Sequence, residues 1–193
     1  MPDKMTLKDS GGSFTPHAVG QFAARCVDVI DLGQRIETFP GSPPRIVDKV
    51  ALVYWSDSDS EPHDVAREFS ASLNEKAAVR KWLEDWRGRS YTREQAAEGI
   101  PVDKLVGVPC LVSVEHKVSG KGRTYAHLKS ISPLPKKMEA PLGDAYVRAP
   151  YWAERVATYR SECAAWAKAQ ERMQDDGYPD QSPEVDGDAS VPF

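Results

Sequence analysis

The chain has 193 residues, 40% of them apolar and 28% charged, which suits one globular domain with extensions outside its core and not two full domains. No apolar run approaches the ~18 residues of a membrane span, and MPDKMTLKDSGGSF has neither the basic start nor the apolar stretch of a secretory signal. A cytoplasmic location is therefore expected. The net charge of −4 hides a split: residues 17–138 hold 18 Lys and Arg against 16 Asp and Glu, whereas residues 174–193 hold six acids and no base. A slightly basic body with an acidic appendage is one cue for a polyanion-binding protein.

Residues 1–16 are polar, with a Gly-Gly pair, and read as a flexible N-terminal arm. QFAARCVDVIDL (21–32) reads as a strand with Phe22, Ala24, Cys26 and Ile30 alternating against Ala23, Arg25, Val27 and Val29, closed by Gly33. QRIETFPGSPPR (34–45) reads as an extended loop, and IVDKVALVYWS (46–56) as a second strand. REFSASL (67–73) supplies a short third strand. From Asn74 the period changes: an Asn cap, then Val79, Trp82, Leu83 and Trp86 at helical spacing, ended by Gly88. TREQAAEG (92–99) repeats that design in miniature, and VDKLVG adds one more turn.

GVPCLVSVEHKVSGKGRTYAHLKSISPLP (107–135) is two alternating segments around Ser119-Gly120-Lys121-Gly122, the composition of a hairpin. Three strands, one or two helices and a hairpin form the element order of an OB-fold, a Greek-key β-barrel that binds oligonucleotides or oligosaccharides. The expected fold is thus mainly β over 17–138. Residues 139–176 follow as a linker and an amphipathic helix, with Trp152, Val156, Tyr159, Cys163, Trp166, Gln170 and Met173 spaced by fours and threes. That helix either docks on its own barrel, the preferred reading, or self-associates as a short coiled coil through 152–173, making a homo-oligomer. Residues 177–193 have the composition of a disordered acidic tail.

Cys26, Cys110 and Cys163 are too scattered for a local metal or redox motif and read as small core residues in a reducing compartment. His116 and His127 are placed to face each other across the hairpin, but no cysteine or carboxylate spacing completes a metal site. Nucleophile elbow, phosphate loop and dinucleotide fingerprint are all missing from the sequence, so neither catalysis nor a cofactor is expected. What the strands and loops do carry is cations interleaved with aromatics: Arg25, Arg35, Phe39, Arg45, Lys49, Trp55, Lys117, Lys121, Arg123 and Tyr125. Single-strand binders need that mixture, because cations neutralise phosphates while rings stack on any base, at about 1–3 kcal/mol per base. The plain alternative makes Trp55 and Tyr125 core and the cations ordinary surface.

The closing DGDASVPF is similar to the tip of bacterial single-stranded DNA-binding proteins, where an acidic run ends in Asp-Ile-Pro-Phe. Asp186, Asp188, Val191, Pro192 and Phe193 fit that pattern, and Gly187, Ala189 and Ser190 depart from it. In the body, HAVGQFAARCVDVIDLG, SLNEKAAVRKWLEDWRGRSYTREQ and VGVPCLVSVEHKVSGKGRTYAHLKSISPLPKK resemble an OB-fold family of tailed bacteriophages that bind single-stranded DNA or act in replication. The resemblance covers about residues 17–138. It implies a protein that coats single-stranded DNA without sequence specificity, in the bacterial host cytoplasm if phage-encoded. The tip would recruit replication or recombination proteins such as a polymerase, helicase, primase or recombinase. The rival expectations are a protein-interaction or scaffold module working through the C-terminal helix, an OB-fold RNA binder, and an enzyme with an unrecognised site.

Overall fold

The computed structural model describes residues 15–38 and 41–175. Phe39, the tip residues 186–193 and most of the N-terminal arm lie outside the described residues. In chain order come β1 (Gly20–Glu37), β2 (Arg45–Ser56), β3 (Asp64–Ser70), α1 (Ala78–Arg87), α2 (Arg93–Glu98), a 3₁₀ turn (Val102–Leu105), β4 (Pro109–Val118), β5 (Thr124–Ser132) and α3 (Tyr151–Asp175). The protein is mainly β, with all five strands antiparallel in the order β3-β2-β1-β4-β5.

β1 is long enough to hold two neighbours. Its first residues, Gly20–Arg25, pair with β4, and from Ala24 to Glu37 it pairs with β2. Such a sheet curls, because strands twist and one long strand must serve two differently oriented partners. The two edge strands meet as a result: Arg67 Nη1 on β3 donates 2.9 Å to the Leu128 carbonyl of β5. Here the expected barrel is corrected in one respect. No ladder joins β3 to β5, so the sheet is open in its hydrogen bonding and only loosely matches an OB-fold, itself a partly open barrel.

Inside the curl, Ala24, Cys26, Leu52, Tyr54, Phe69, Val112 and Leu128 form the main core. α1 covers that core with the four residues its period singled out, Val79, Trp82, Leu83 and Trp86, all buried. Trp82 Nε1 donates 2.8 Å to Tyr54 Oη, and Trp86 Nε1 donates 3.0 Å to the Pro109 carbonyl, so both indole donors are satisfied. Gly88 ends the helix in the left-handed region at φ 70°, where its N–H reaches the Glu84 carbonyl. A Cβ at that position would also sit 3.1 Å from Pro133 Cγ.

Several expected details change. A bulge between Cys26 and Asp28 inserts one residue, so Val29 packs with the inner core while Ile30 turns to the outer face, the reverse of uninterrupted alternation. Gly33 does not close β1; the strand continues past a second irregularity to Glu37. β3 begins at Asp64 and stops at Ser70. Asn74 caps a turn, its Oδ1 accepting from the Lys76 N–H at 3.2 Å, and α1 starts only at Ala78. α2 is opened by a Thr92–Gln95 capping box.

The outer face of β1 and β2 is covered by the chain's own C-terminal part. Ile30, Leu32, Ala51 and Val53 meet Trp152, Tyr159 and Val156 of α3, so the helical stripe docks on its own sheet. Tyr159 Oη donates 3.0 Å to Glu68 Oε2, and Arg155 pairs with the other oxygen of the same carboxylate. None of the described helices is long and apolar enough to cross a membrane.

Candidate nucleic-acid interface

The turn between β4 and β5 is built locally. Ser119 N donates 2.9 Å to the Arg123 carbonyl, Gly122 N donates 2.8 Å to the Ser119 carbonyl, and Ser119 Oγ accepts from Arg123 N at 3.1 Å. All three bonds end on backbone atoms at residues 122 and 123, so the Lys121 and Arg123 side chains stand free of the scaffold that presents them. Both are exposed, and among the described residues neither has an ion-pair partner. Immediately behind the tip, Lys117 faces Tyr125 across the ladder, and Tyr125 is 39% exposed.

The next pair is Glu115 with His127. Glu115 forms ion pairs with Lys117 at 3.3 Å and with Lys129 at 3.7 Å, which places Lys129 on the same face as the other two. His127 is pushed below its ordinary pKa chiefly by burial and then by the nearby cations Lys117 and Arg67, with Glu115 acting the other way. Lys129, His127 (singled out in the sequence only beside His116) and Arg67 are not among the residues expected at this interface. The signal for the first two lies in the alternation Tyr125-His127-Lys129, whereas Arg67 owes its position to the curl of the sheet. His116 and His127 occupy successive ladder positions, paired with Ala126 and Glu115 respectively, so they do not face each other; His116 Nε2 instead lies 2.8 Å from the His17 carbonyl.

The remaining expected residues are placed elsewhere. Arg35 stacks its guanidinium 5.0 Å from the centre of the Tyr159 ring, and Arg45 is exposed at the start of β2. Lys49 is buried: its Nζ donates 2.6 Å to Glu37 Oε1 and 3.4 Å to Ser70 Oγ. Burial alone would raise the Glu37 pKa, but the Lys49 bond and charge, with help from Ser70 and Arg35, bring it below the usual carboxylate range. A depressed carboxylate contributes stability above its unfolded pKa of about 4.3 and loses it as pH falls through the lowered folded value. Glu37→Gln should destabilise the fold by roughly 3 kcal/mol, the lower end for stripping a buried charge of its counter-ion, as Ser70 remains. Urea unfolding at pH 7 checks this, and a midpoint equal to that of the unsubstituted chain would refute it.

Arg25 and Trp55, paired across β1 and β2, lie on the outer face beneath residues 139–150. Arg25 Nε donates 2.9 Å to the Pro141 carbonyl, Nη2 donates 3.4 Å to the Ala140 carbonyl, and Nη1 donates to the Gly107 carbonyl. The Trp55 ring lies 6.4 Å from Tyr146, edge-on, and 5.2 Å from His63. Gly143, at φ 77°, fits closely here: a Cβ would stand 2.4 Å from Val27 Cγ1 and 3.3 Å from Trp55 Cβ. The bulge aims Asp28 outward, where its carboxylate accepts from Arg148 Nε at 2.7 Å, from Arg148 Nη2 at 2.6 Å and from Tyr146 Oη at 3.0 Å.

Nine of the ten expected residues thus form three groups, Phe39 lying outside the described residues. Lys117, Lys121, Arg123 and Tyr125 stand together at the hairpin, which projects past the Gly20 end of β1. Arg35, Arg45 and Lys49 lie toward the opposite end of that strand. Arg25 and Trp55 lie between, covered by the chain itself. Among the described residues no cluster of His, Cys, Asp and Glu is suited to a metal ion. Burial raises the Cys26 thiol to about 12 and pushes Cys110 higher still, so both are inert core groups. No protein-family model, curated protein or solved structure matches the chain.

Proposed function

We propose that this protein binds single-stranded DNA without sequence preference and makes its first contact through the β4–β5 hairpin. The observation that carries this reading is the pair of exposed cations at the turn, Lys121 and Arg123, backed by Lys117 and the accessible ring of Tyr125 on one face of a curled antiparallel sheet. A flexible polyanion can lay its phosphates along such a ridge and stack a base on the tyrosine. No group there reads base edges in a fixed geometry, so the binding is expected to be indifferent to sequence. The resemblance of the chain to phage replication proteins supports a role in DNA replication or recombination in a bacterial cytoplasm. On the same reading the acidic C-terminal residues Asp186, Asp188, Val191, Pro192 and Phe193 serve as a handle for partner proteins.

The test is a titration of fluorescent oligo(dT) at two salt concentrations. Affinity should fall steeply with salt, with a slope of about 0.7 per phosphate neutralised. A chain that leaves the oligonucleotide free at low salt is not a strand binder, and the reading fails. Competition with oligo(U) distinguishes a ribose preference, which would favour the RNA-binding alternative.

A further inference from the structure

From the hairpin cations a path runs back over the outer face of the sheet to Arg25 and Trp55, short of the part that α3 covers. That path is occupied. Residues 139–150 lie across it and satisfy the two side chains much as a strand of nucleic acid would. Arg25 gives hydrogen bonds to two successive carbonyl oxygens, where a polynucleotide would offer phosphate oxygens, and Trp55 meets the ring of Tyr146, where it would meet a base. We infer that residues 139–150 are a built-in competitor for this track, a strap latched by Asp28, Tyr146 and Arg148, whose release joins the hairpin cations to Arg25 and Trp55 in one continuous polynucleotide-binding surface. The inference rests on the single-strand-binding reading and concerns the regulation of that same site.

Three features argue that the strap is a separable device, although Tyr146 and Ala149 also pack against the outer cluster beside α3. Its latch is polar: a bidentate ion pair and one phenol bond hold it at Asp28, and Arg148 is itself exposed, with 54% of its side chain accessible. Its close approach to the sheet depends on the missing side chain of Gly143. Its neighbour α3 carries its own anchors, Trp152, Tyr159 and Cys163, so the helix has a hold on the outer face that does not pass through the strap. Release also uncovers the Asp28 carboxylate, which repels phosphate. Opening by salt alone is therefore opposed, and opening with that charge removed is favoured.

Two substitutions lift the strap by different means. Asp28→Asn breaks the charge pair and removes the repulsive group. Gly143→Ala places a methyl against Val27 and forbids the left-handed backbone. Each full-length variant, with circular dichroism to verify folding, is titrated with oligo(dT) beside the unsubstituted chain, and hydrogen exchange of residues 139–150 is followed with and without the oligonucleotide. The expected result is at least about fivefold tighter binding by Asp28→Asn and a salt slope steeper by about 0.7 for each cation gained. Adding Trp55→Ala should cancel the gain. In the unsubstituted chain, saturating oligo(dT) should speed exchange across the strap. Variants that bind no tighter, with strap exchange unchanged by DNA, overturn the inference while leaving strand binding in place if Lys121→Glu/Arg123→Glu still weakens it. If none of the proteins binds, both the strap and the strand-binding reading are lost. Should Gly143→Ala fail to fold, Asp28→Asn alone decides.

Discussion

Exchanging Lys121 and Arg123 for Glu together should weaken oligo(dT) binding roughly 30- to 100-fold near 0.1 M salt. Each exposed cation contributes about 1 kcal/mol or less to a surface ion contact. Reversal removes the attraction and adds a comparable repulsion, so two reversals cost about 2–3 kcal/mol, and each 1.4 kcal/mol is about a factor of ten in Kd. The salt slope should flatten by about 1.4 as two phosphate contacts disappear. The fold should not suffer, because the turn is closed by bonds to backbone atoms at residues 122 and 123 and to Ser119 Oγ, none of which uses either side chain. Anisotropy titrations of the double variant, beside its thermal melt, provide the check. Unchanged affinity with an unchanged melt would remove the hairpin from the interface.

Trp82→Ala should have the largest effect on stability. The side chain is 4% exposed and lies between the inner face of the sheet and the rest of α1. Truncating a buried tryptophan costs about 3–5 kcal/mol through lost burial and a residual cavity. The Tyr54 hydroxyl, fully buried with its phenol pushed well above its ordinary pKa, loses its donor as well. Arg67, stacked 4.6 Å from the ring centre, loses part of the surface that holds it toward β5. At about 2–4 °C per kcal/mol for a chain of this size, the melting temperature should drop by roughly 10–15 °C. A drop under about 5 °C would mean that the core re-forms around the gap. Trp55→Ala makes the useful contrast, since Trp55 is only half-buried beneath the strap.

What the sequence makes legible here is local. The four buried positions of α1 repeat with the helical period, the Thr92–Gln95 cap is written within four residues, and the 119–123 turn carries its own small residues and glycines. The stripe on α3 is equally plain, and its preferred docking on the chain's own sheet is what the structure contains. The illegible parts depend on distant partners. A bulge at Val27 is invisible in β1 alone, because two-against-one pairing exists only once β2 lies alongside. Lys49 sits in an alternating strand that reads as a cation offered to solvent, and only Glu37, brought round from the far end of β1, makes it a buried ion pair. Arg25 and Trp55 stand in the sequence only as two members of a scattered set of cations and aromatics, and their pairing across β1 and β2 appears once the strands are aligned. What covers them arrives from more than 80 residues away in the chain, a separation at which side-chain chemistry gives no cue.

The Arg67 bond across the β3–β5 seam also bears on the mechanics of the molecule. A cylinder stitched all round can widen only by tearing several cooperative backbone bonds at once. Here the seam is held by one long, bendable side chain and by the packing of α1 and the core across it, a softer spring than a ladder, and expansion there leaves all four ladders intact.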